Sequence, residues 1–168
     1  MIMIQNTSID IHYLQPTVIF ATNKPIIIQT ILGSCVSVCL WDKKLRIGGM
    51  NHYMLPFWNG VGLATPKFGN IAIEKLIDKM LSLGSNKKDI VAKTFGGGRI
   101  IETTKDSNFQ IGSQNIIIAE EMLKSEHIPI ISENMGGTFG RKIQFYTNTG
   151  VVLHKFIKKN PLYLNDSD

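Results

Sequence analysis

The sequence has few of the features that mark secreted or membrane proteins. Its two cysteines, Cys35 and Cys39, lie four residues apart and cannot form a disulfide framework. No apolar run approaches the roughly 20 residues of a membrane-spanning helix. Residues 1–4 lead directly into polar residues 5–8, unlike a secretory signal. We therefore expect a cytoplasmic protein without membrane insertion.

Charge and aromatic content are also modest. The net charge is +5, but the basic residues occur as scattered pairs without interleaved aromatic residues, so nucleic-acid binding is not indicated. There is no internal repeat and no low-complexity stretch. A chain of 168 residues is long enough for one domain with a core. We expect a single domain over 1–168, with residues 1–14 and 158–168 as peripheral segments.

Hydrophobic periodicity predicts an α+β protein. A 3.6-residue period predicts one helix over 70–83, ended by Gly84, and a second over 114–125, capped by Ser113. Residues 148–150 predict the turn of a hairpin between strands 141–147 and 151–156. Further strands are expected at 17–21, 26–30, 90–95 and 128–131, with an edge strand within 1–16. These elements favour a layered fold of mixed or antiparallel sheets with helices packed outside.

The stretch from residue 33 to residue 52 predicts a hairpin that carries chemistry. Two β-branched, glycine-bounded runs flank a polar break. A four-residue loop centred between Lys43 and Lys44 would place Cys35 directly opposite His52, with Cβ atoms roughly 4.5–5.5 Å apart. A three-residue loop would instead put them on opposite faces. A thiol beside an imidazole is the arrangement of an activated nucleophile.

Two other interpretations of these residues stay open. A metal site of Cys35, Cys39 and His52 is disfavoured, since strand residues four apart are about 13 Å apart. Either cysteine can also be a small buried residue, which we expect of Cys39. Cys35 differs, because it follows Gly33 and Ser34, whose backbone N–H groups at a bend are suited to stabilise an oxyanion.

The glycines at 96–98 can be interpreted as a phosphate-binding loop or as a structural turn. They lack the Lys-Ser/Thr of a phosphate-binding loop, so a tight turn or a close backbone approach is the better interpretation.

Several motifs together resemble the CheD family. The resemblance extends from about residue 15 to residue 157. It is carried by Leu32-Gly-Ser-Cys-Val-Ser-Val-Cys-Leu40 with Asp42, Gly48-Gly-Met-Asn-His-Tyr-Met-Leu-Pro56, Phe95-Gly-Gly-Gly98, Ile111-Gly112 with Asn115, Gly137 through Gly140-Arg-Lys-Ile143, and Thr149-Gly150.

This resemblance implies an enzyme and its partners. Family members are chemoreceptor glutamine deamidases, some with methylesterase activity on receptor methyl esters. The implied partners are the cytoplasmic helices of methyl-accepting chemotaxis receptors and, in several bacteria, the CheY-P phosphatase CheC. The implied fold is similar to the catalytic domain of cytotoxic necrotizing factor toxins, a β-sandwich flanked by helices. No metal or organic cofactor is implied.

The resemblance also assigns roles to residues. Cys35 matches the nucleophile and His52 the general base. A third member, a threonine six residues before the cysteine, corresponds to Gln29, which would act through its backbone carbonyl; Thr30 is next to it. The implied substrate-contacting residues are Asn51, Gly97 and Gly98, with the site bordered by residues 57–69 and 96–101 and an often aromatic position occupied by Ile101. The rival interpretations are a non-catalytic receptor- or CheC-binding adaptor and a cysteine hydrolase for another amide or ester.

Overall fold

The fold is a two-sheet sandwich with helices on one side. The structure, a computed structural model, describes residues 8–99 and 107–158. No helix in these residues is long and apolar enough to cross a membrane. The elements are β1 (Asp10–Tyr13), β2 (Ile19–Thr22), β3 (Ile26–Leu32), β4 (Val36–Asp42), β5 (Ile47–Asn51), α1 (Gly69–Ser82), β6 (Ile90–Gly96), α2 (Ser107–Ser125), β7 (Ile130–Met135), β8 (Gly140–Tyr146) and β9 (Val152–Ile157).

The two sheets are both mixed. The central sheet has the order β2-β5-β4-β6-β7, and the outer sheet has the order β1-β3-β8-β9. Most neighbours are antiparallel, whereas β1 pairs with β3 and β6 with β7 in parallel. The α+β sandwich of mixed sheets expected from the sequence is confirmed.

The central sheet is buried on both faces. One core cluster fills the space between the sheets and includes Leu14, Ile28 and Phe145. A second lies between the central sheet and the helices and includes Val38 and Leu76. This explains why every residue of β4 except Trp41 is buried, without the alternation of a strand that has one face exposed to solvent. Both helices pack on the central sheet, so the far face of the outer sheet carries no helix from the described residues.

Several elements agree with the sequence. The β8–β9 hairpin is confirmed, and Gly150 at its turn has a φ of 75°. The end of α1 at Gly84 is confirmed, where φ is 109°. β1 is the expected edge strand, but Leu14 directly after it is fully buried. The peripheral N-terminal segment therefore ends before residue 14.

One connection carries the chain from one sheet to the other, and the expected start of the second helix is wrong. β2 and β3 follow one another in the chain but lie in different sheets, so the turn between them crosses the sandwich. Helix α2 begins at Ser107, and Ser113 lies inside it instead of capping it. Position 112 is a glycine because a Cβ there would lie 2.8 Å from the Gly97 carbonyl oxygen. That glycine reflects close packing and not a helix boundary.

Candidate active site

The β4–β5 hairpin brings Cys35 and His52 to one face in a different register from the one expected. Its loop has four residues, as expected, but spans 43–46. The backbone N–H groups of Lys44 and Leu45 donate to Asp42 Oδ1 over 2.9 and 3.1 Å, and this turn fixes Asp42 as the last strand residue. The loop centre therefore lies one residue later in the chain than expected, and each β4 residue pairs with a residue two positions later than expected.

The direct opposition of Cys35 and His52 is consequently wrong. Val36 pairs with Tyr53, so the register extended by one residue sets Ser37 opposite His52 and Cys35 opposite Met54. A shift of two residues keeps a side chain on its face. Cys35 and His52 therefore remain on the inward face of the hairpin as diagonal neighbours, a separation of roughly 7–8 Å between backbones that reactive side chains can span.

The outer sheet supplies the group that orients His52. Thr30 on β3 is buried, and its hydroxyl donates to the Leu14 carbonyl over 2.9 Å. The same oxygen lies 2.8 Å from His52 Nδ1. Because the hydroxyl proton is used on Leu14, the oxygen accepts from the imidazole, which places the ring proton on Nδ1. The Nε2 lone pair is then free to act as a base.

Gln29 is not that orienting group, and its assignment to this role is wrong. Its carbonyl accepts the backbone N–H of Leu14 over 2.8 Å. Its side-chain oxygen accepts from Gln144 Nε2 over 2.8 Å on the outward face of the sheet. The His52 Nδ1 that the Gln29 carbonyl was expected to hold lies 2.8 Å from Thr30 Oγ1 instead.

The glycine triplet shapes the bend that carries the nucleophile. Gly97 N–H donates to the Cys35 carbonyl and Gly98 N–H to the Gly33 carbonyl, both over 2.9 Å. A Cβ at Gly96, whose φ is 109°, would lie 2.2 Å from the Cys35 carbonyl oxygen. The close backbone approach expected from the sequence is therefore confirmed. Contact of Gly97 or Gly98 with substrate stays a prediction.

Asn115 on α2 fixes the same bend from the helix side. Its Nδ2 donates to the carbonyls of Ser34 and Met54, each over 3.0 Å. The Tyr53 hydroxyl donates to the Asn115 carbonyl over 2.5 Å. In a trans peptide the C=O and N–H groups point in opposite directions. The Cys35 N–H therefore points away from the helix, toward the side where its own thiol lies.

The sequence marks Asn115 as a polar residue with buried partners but not as a residue of the site. It is fully buried and lies four residues before buried Ala119 on the apolar face of α2. A polar residue in such a stripe requires partners within the protein. What the sequence did not contain was the identity of those partners, which come from two other segments.

Arg141 is a second residue without an assigned role. It is 1% exposed, and its guanidinium donates to the Asn134 side chain and to the Gly136 carbonyl. Gly136 N–H in turn donates to the Gly96 carbonyl over 2.8 Å. Arg141 thereby holds the β7–β8 connection against the glycine triplet and links the two sheets at the end where Cys35 lies.

Asn51 is a structural residue, and its placement on a substrate-contacting loop is wrong. It lies within β5 and is fully buried, with Oδ1 accepting the Val38 N–H over 2.8 Å. Ile101, at the position often aromatic in the family, lies outside the described residues. Cys39 is buried between the sheets, as expected, and no three His, Cys, Asp or Glu side chains converge among the described residues.

Burial leaves both reactive groups uncharged at neutral pH. It raises the pKa of the Cys35 thiol above its usual value, and the Cys35 backbone N–H opposes this in part. Burial lowers the pKa of His52 to about 4. The resting site is thus a thiol beside a neutral imidazole, and the proton must move when the substrate is attacked.

This protonation state predicts slow, steeply pH-dependent alkylation of Cys35. With iodoacetamide, the alkylation rate should rise about tenfold per pH unit between pH 7 and 9, because the thiolate fraction rises in that proportion below the pKa. Peptide mass spectrometry reports the rate at Cys35, with buried Cys39 as the unreactive internal control. A rate independent of pH over this range would instead indicate a preformed thiolate–imidazolium pair and contradict the assignment.

Known proteins resemble this chain over most of its length. The family described as CheD chemotactic sensory transduction matches residues 54–156. A probable chemoreceptor glutamine deamidase CheD from Sulfurimonas denitrificans is 46% identical over 147 residues, 88% of this chain and 94% of its own. One from Trichlorobacter lovleyi is 50% identical over 126 residues, 75% of this chain and 78% of its own.

Among solved structures, the Neisseria meningitidis protein NMB0706 aligns with a TM-score of 0.49 at 12% identity. The alignment covers 78% of this chain and 65% of that one. The two CheD relatives are 46% and 50% identical to this chain, and the matches cover 94% and 78% of their own lengths. On that similarity, the chain belongs to the CheD family.

Proposed function

We propose that this protein is a cytoplasmic deamidase that hydrolyses glutamine side chains of chemotaxis receptors to glutamate and ammonia. The observation that carries the proposal is the hydrogen bond between Thr30 and His52 Nδ1, which leaves Nε2 as a base on the face that holds Cys35. Membership in a family whose relatives are named as such deamidases supplies the substrate class.

The first half of the reaction forms a thioester. His52 Nε2 takes the thiol proton as Cys35 Sγ attacks the glutamine Cδ, giving a tetrahedral intermediate. The backbone N–H of Cys35, turned away from the helix by the Asn115 contact, is positioned to stabilise the oxyanion, with the N–H of Ser34 in the Gly33–Ser34 bend as a second donor. The imidazolium then gives its proton to the leaving nitrogen, and ammonia departs.

The second half regenerates the enzyme. His52, neutral again, takes a proton from a water that attacks the thioester carbonyl. Collapse of this intermediate breaks the C–S bond, returns the proton to the thiolate and leaves the glutamate carboxylic acid. The same acyl transfer would convert a receptor methyl ester, with methanol as the leaving group.

The loop after the hairpin is suited to contact a receptor helix. Its ends are fixed by hydrogen bonds from Met54 and Leu55 to the Lys67 carbonyl. Between them Phe57, Val61 and Leu63 are 62%, 77% and 82% exposed, an unusual exposure for apolar side chains. We assign this loop to binding of the cytoplasmic helices of the receptors, and to CheC where a bacterium has it.

The test is mass spectrometry on a receptor cytoplasmic fragment. Incubation with the protein should raise the mass by about 1 Da per converted glutamine, since an amide nitrogen is replaced by oxygen. Tandem spectra would locate the sites, and a sample with protein alkylated at Cys35 controls for spontaneous deamidation. If the fragment binds yet keeps all its glutamines, the adaptor interpretation replaces the enzyme. Hydrolysis of other amides or esters alone would indicate a different cysteine hydrolase.

A further inference from the structure

The far face of the outer sheet carries an unusual groove. No helix of the described residues covers this face. The groove has a volume of about 580 Å³ and is lined by Ile31, Lys142, Lys155, Phe156, Ile157 and Lys158. Its base is apolar, and Ile31 and Ile157 are 47% and 41% exposed.

The rim of the groove carries lysines with no acidic side chain beside them on β3, β8 or β9. Lys142 and Lys155 are direct cross-strand neighbours, and like charges in such positions repel. The outward positions of β3, β8 and β9 hold no aspartate or glutamate. Within residues 8–99 and 107–158, the ion pairs found are Lys44–Asp89 and Lys87–Glu126, neither of them on this face. An acidic partner would relieve the repulsion that the sheet alone leaves in place.

The groove continues toward the nucleophile. A second hollow of about 240 Å³ shares Ile31, Ile157 and Lys158 with the first. It is also lined by Gly33 and Gly140, and Gly33 begins the bend that ends at Cys35. A chain lying in the groove would therefore lead to the edge of the proposed active site.

We propose that this groove, formed by Ile31, Ile157 and the three lysines, docks an acidic amphipathic segment of the protein substrate outside the reacting glutamine. Apolar side chains of that segment occupy the base, and its carboxylates face the lysine rim. The role as a substrate-docking site rests on the proposed deamidase function. Binding of the acidic segment itself does not, and the two are tested separately.

Direct binding tests the groove without reference to turnover. The probe is a fluorescein-labelled amphipathic peptide with leucines on one face and glutamates on the other. Fluorescence anisotropy with the double variant K142E/K155E should show at least about tenfold weaker binding than with wild type, because attraction becomes repulsion. The matched control K43E/K88E makes the same charge change at exposed lysines elsewhere and should bind as wild type does.

Two further probes define the occupant. The variant I31Q should weaken binding at unchanged charge, and a peptide with lysine in place of every glutamate should not bind. Equal binding by K142E/K155E and K43E/K88E would overturn the proposal. So would binding of the wild type to anionic phosphatidylglycerol vesicles but not to the acidic peptide.

Kinetics then test the link to deamidation. K142E/K155E should raise KM for a receptor fragment about tenfold with kcat and the Cys35 alkylation rate unchanged, as expected for loss of a docking contact distant from the reacting atoms. If wild type binds the peptide but deamidates no receptor, the proposed function fails while the groove stands. If wild type and K142E/K155E deamidate the receptor equally well, the groove has no part in substrate docking.

Discussion

Substitution of Cys35 by alanine should lower the rate of glutamine conversion at least about 10³-fold, because the acyl-enzyme route disappears with its nucleophile. Cys35 is half-buried in a bend, and its side chain only borders the core cluster between the sheets. Its removal should therefore leave the melting temperature close to that of wild type. The measurement is the initial rate of receptor-fragment deamidation by mass spectrometry.

Cys39 provides the matched control for this variant. It lies on the same inward face of β4 but is 1% exposed and packed into the core. Cys39→Ala should keep the rate within a few-fold while reducing the free energy of unfolding by about 1–2 kcal/mol through the small cavity it leaves. If Cys39→Ala lost activity while Cys35→Ala kept it, the nucleophile would be Cys39 and the assignment to Cys35 would be wrong.

Replacement of Thr30 by valine should lower kcat roughly tenfold to a hundredfold. Valine keeps the shape but removes the oxygen that accepts from His52 Nδ1, so the imidazole can place its proton on Nε2 and lose its basic lone pair there. KM should change little, since buried Thr30 does not reach the surface where the substrate binds. Steady-state kinetics on a receptor fragment separates the two parameters.

Thr30→Ser is the conservative partner of that variant. It retains the hydroxyl that donates to the Leu14 carbonyl and should recover most of kcat. A purely structural role for Thr30 would instead make valine and serine differ in melting temperature but not in kcat. Equal kcat for valine and wild type would show that the hydrogen bond does not set the tautomer.

Local signals in the sequence were reliable where the structure depends on neighbours in the chain. The turn at 148–150 and the glycine after α1 were enough to predict the β8–β9 hairpin and the helix end. The β4–β5 loop length was also correct. Its position was not, since Asp42 accepts two backbone N–H groups as the last residue of the strand, so the loop begins one residue later than expected.

Contacts between distant segments could not be predicted in this way. The choice between Gln29 and Thr30 depends on which residue of β3 faces the central sheet, and an alternating strand offers both faces equally. The partners of Asn115 come from residues 61 and 81 positions away in the chain. The expected start of α2 is wrong because Ser113, a residue type suited to an N-cap, lies inside the helix, where its neighbour Gly112 packs against Gly97.

The division of the site between two sheets has a consequence for how the protein matures. Cys35 and His52 come from a hairpin of the central sheet, whereas Thr30 comes from the outer sheet, to which the chain crosses after β2. A refolding intermediate with only the hairpin formed would hold the thiol and the imidazole but leave the ring free to rotate. Recovery of enzymatic rate during refolding would thus track the docking of the sheets, and limited proteolysis that separates them would inactivate the protein without cutting near Cys35.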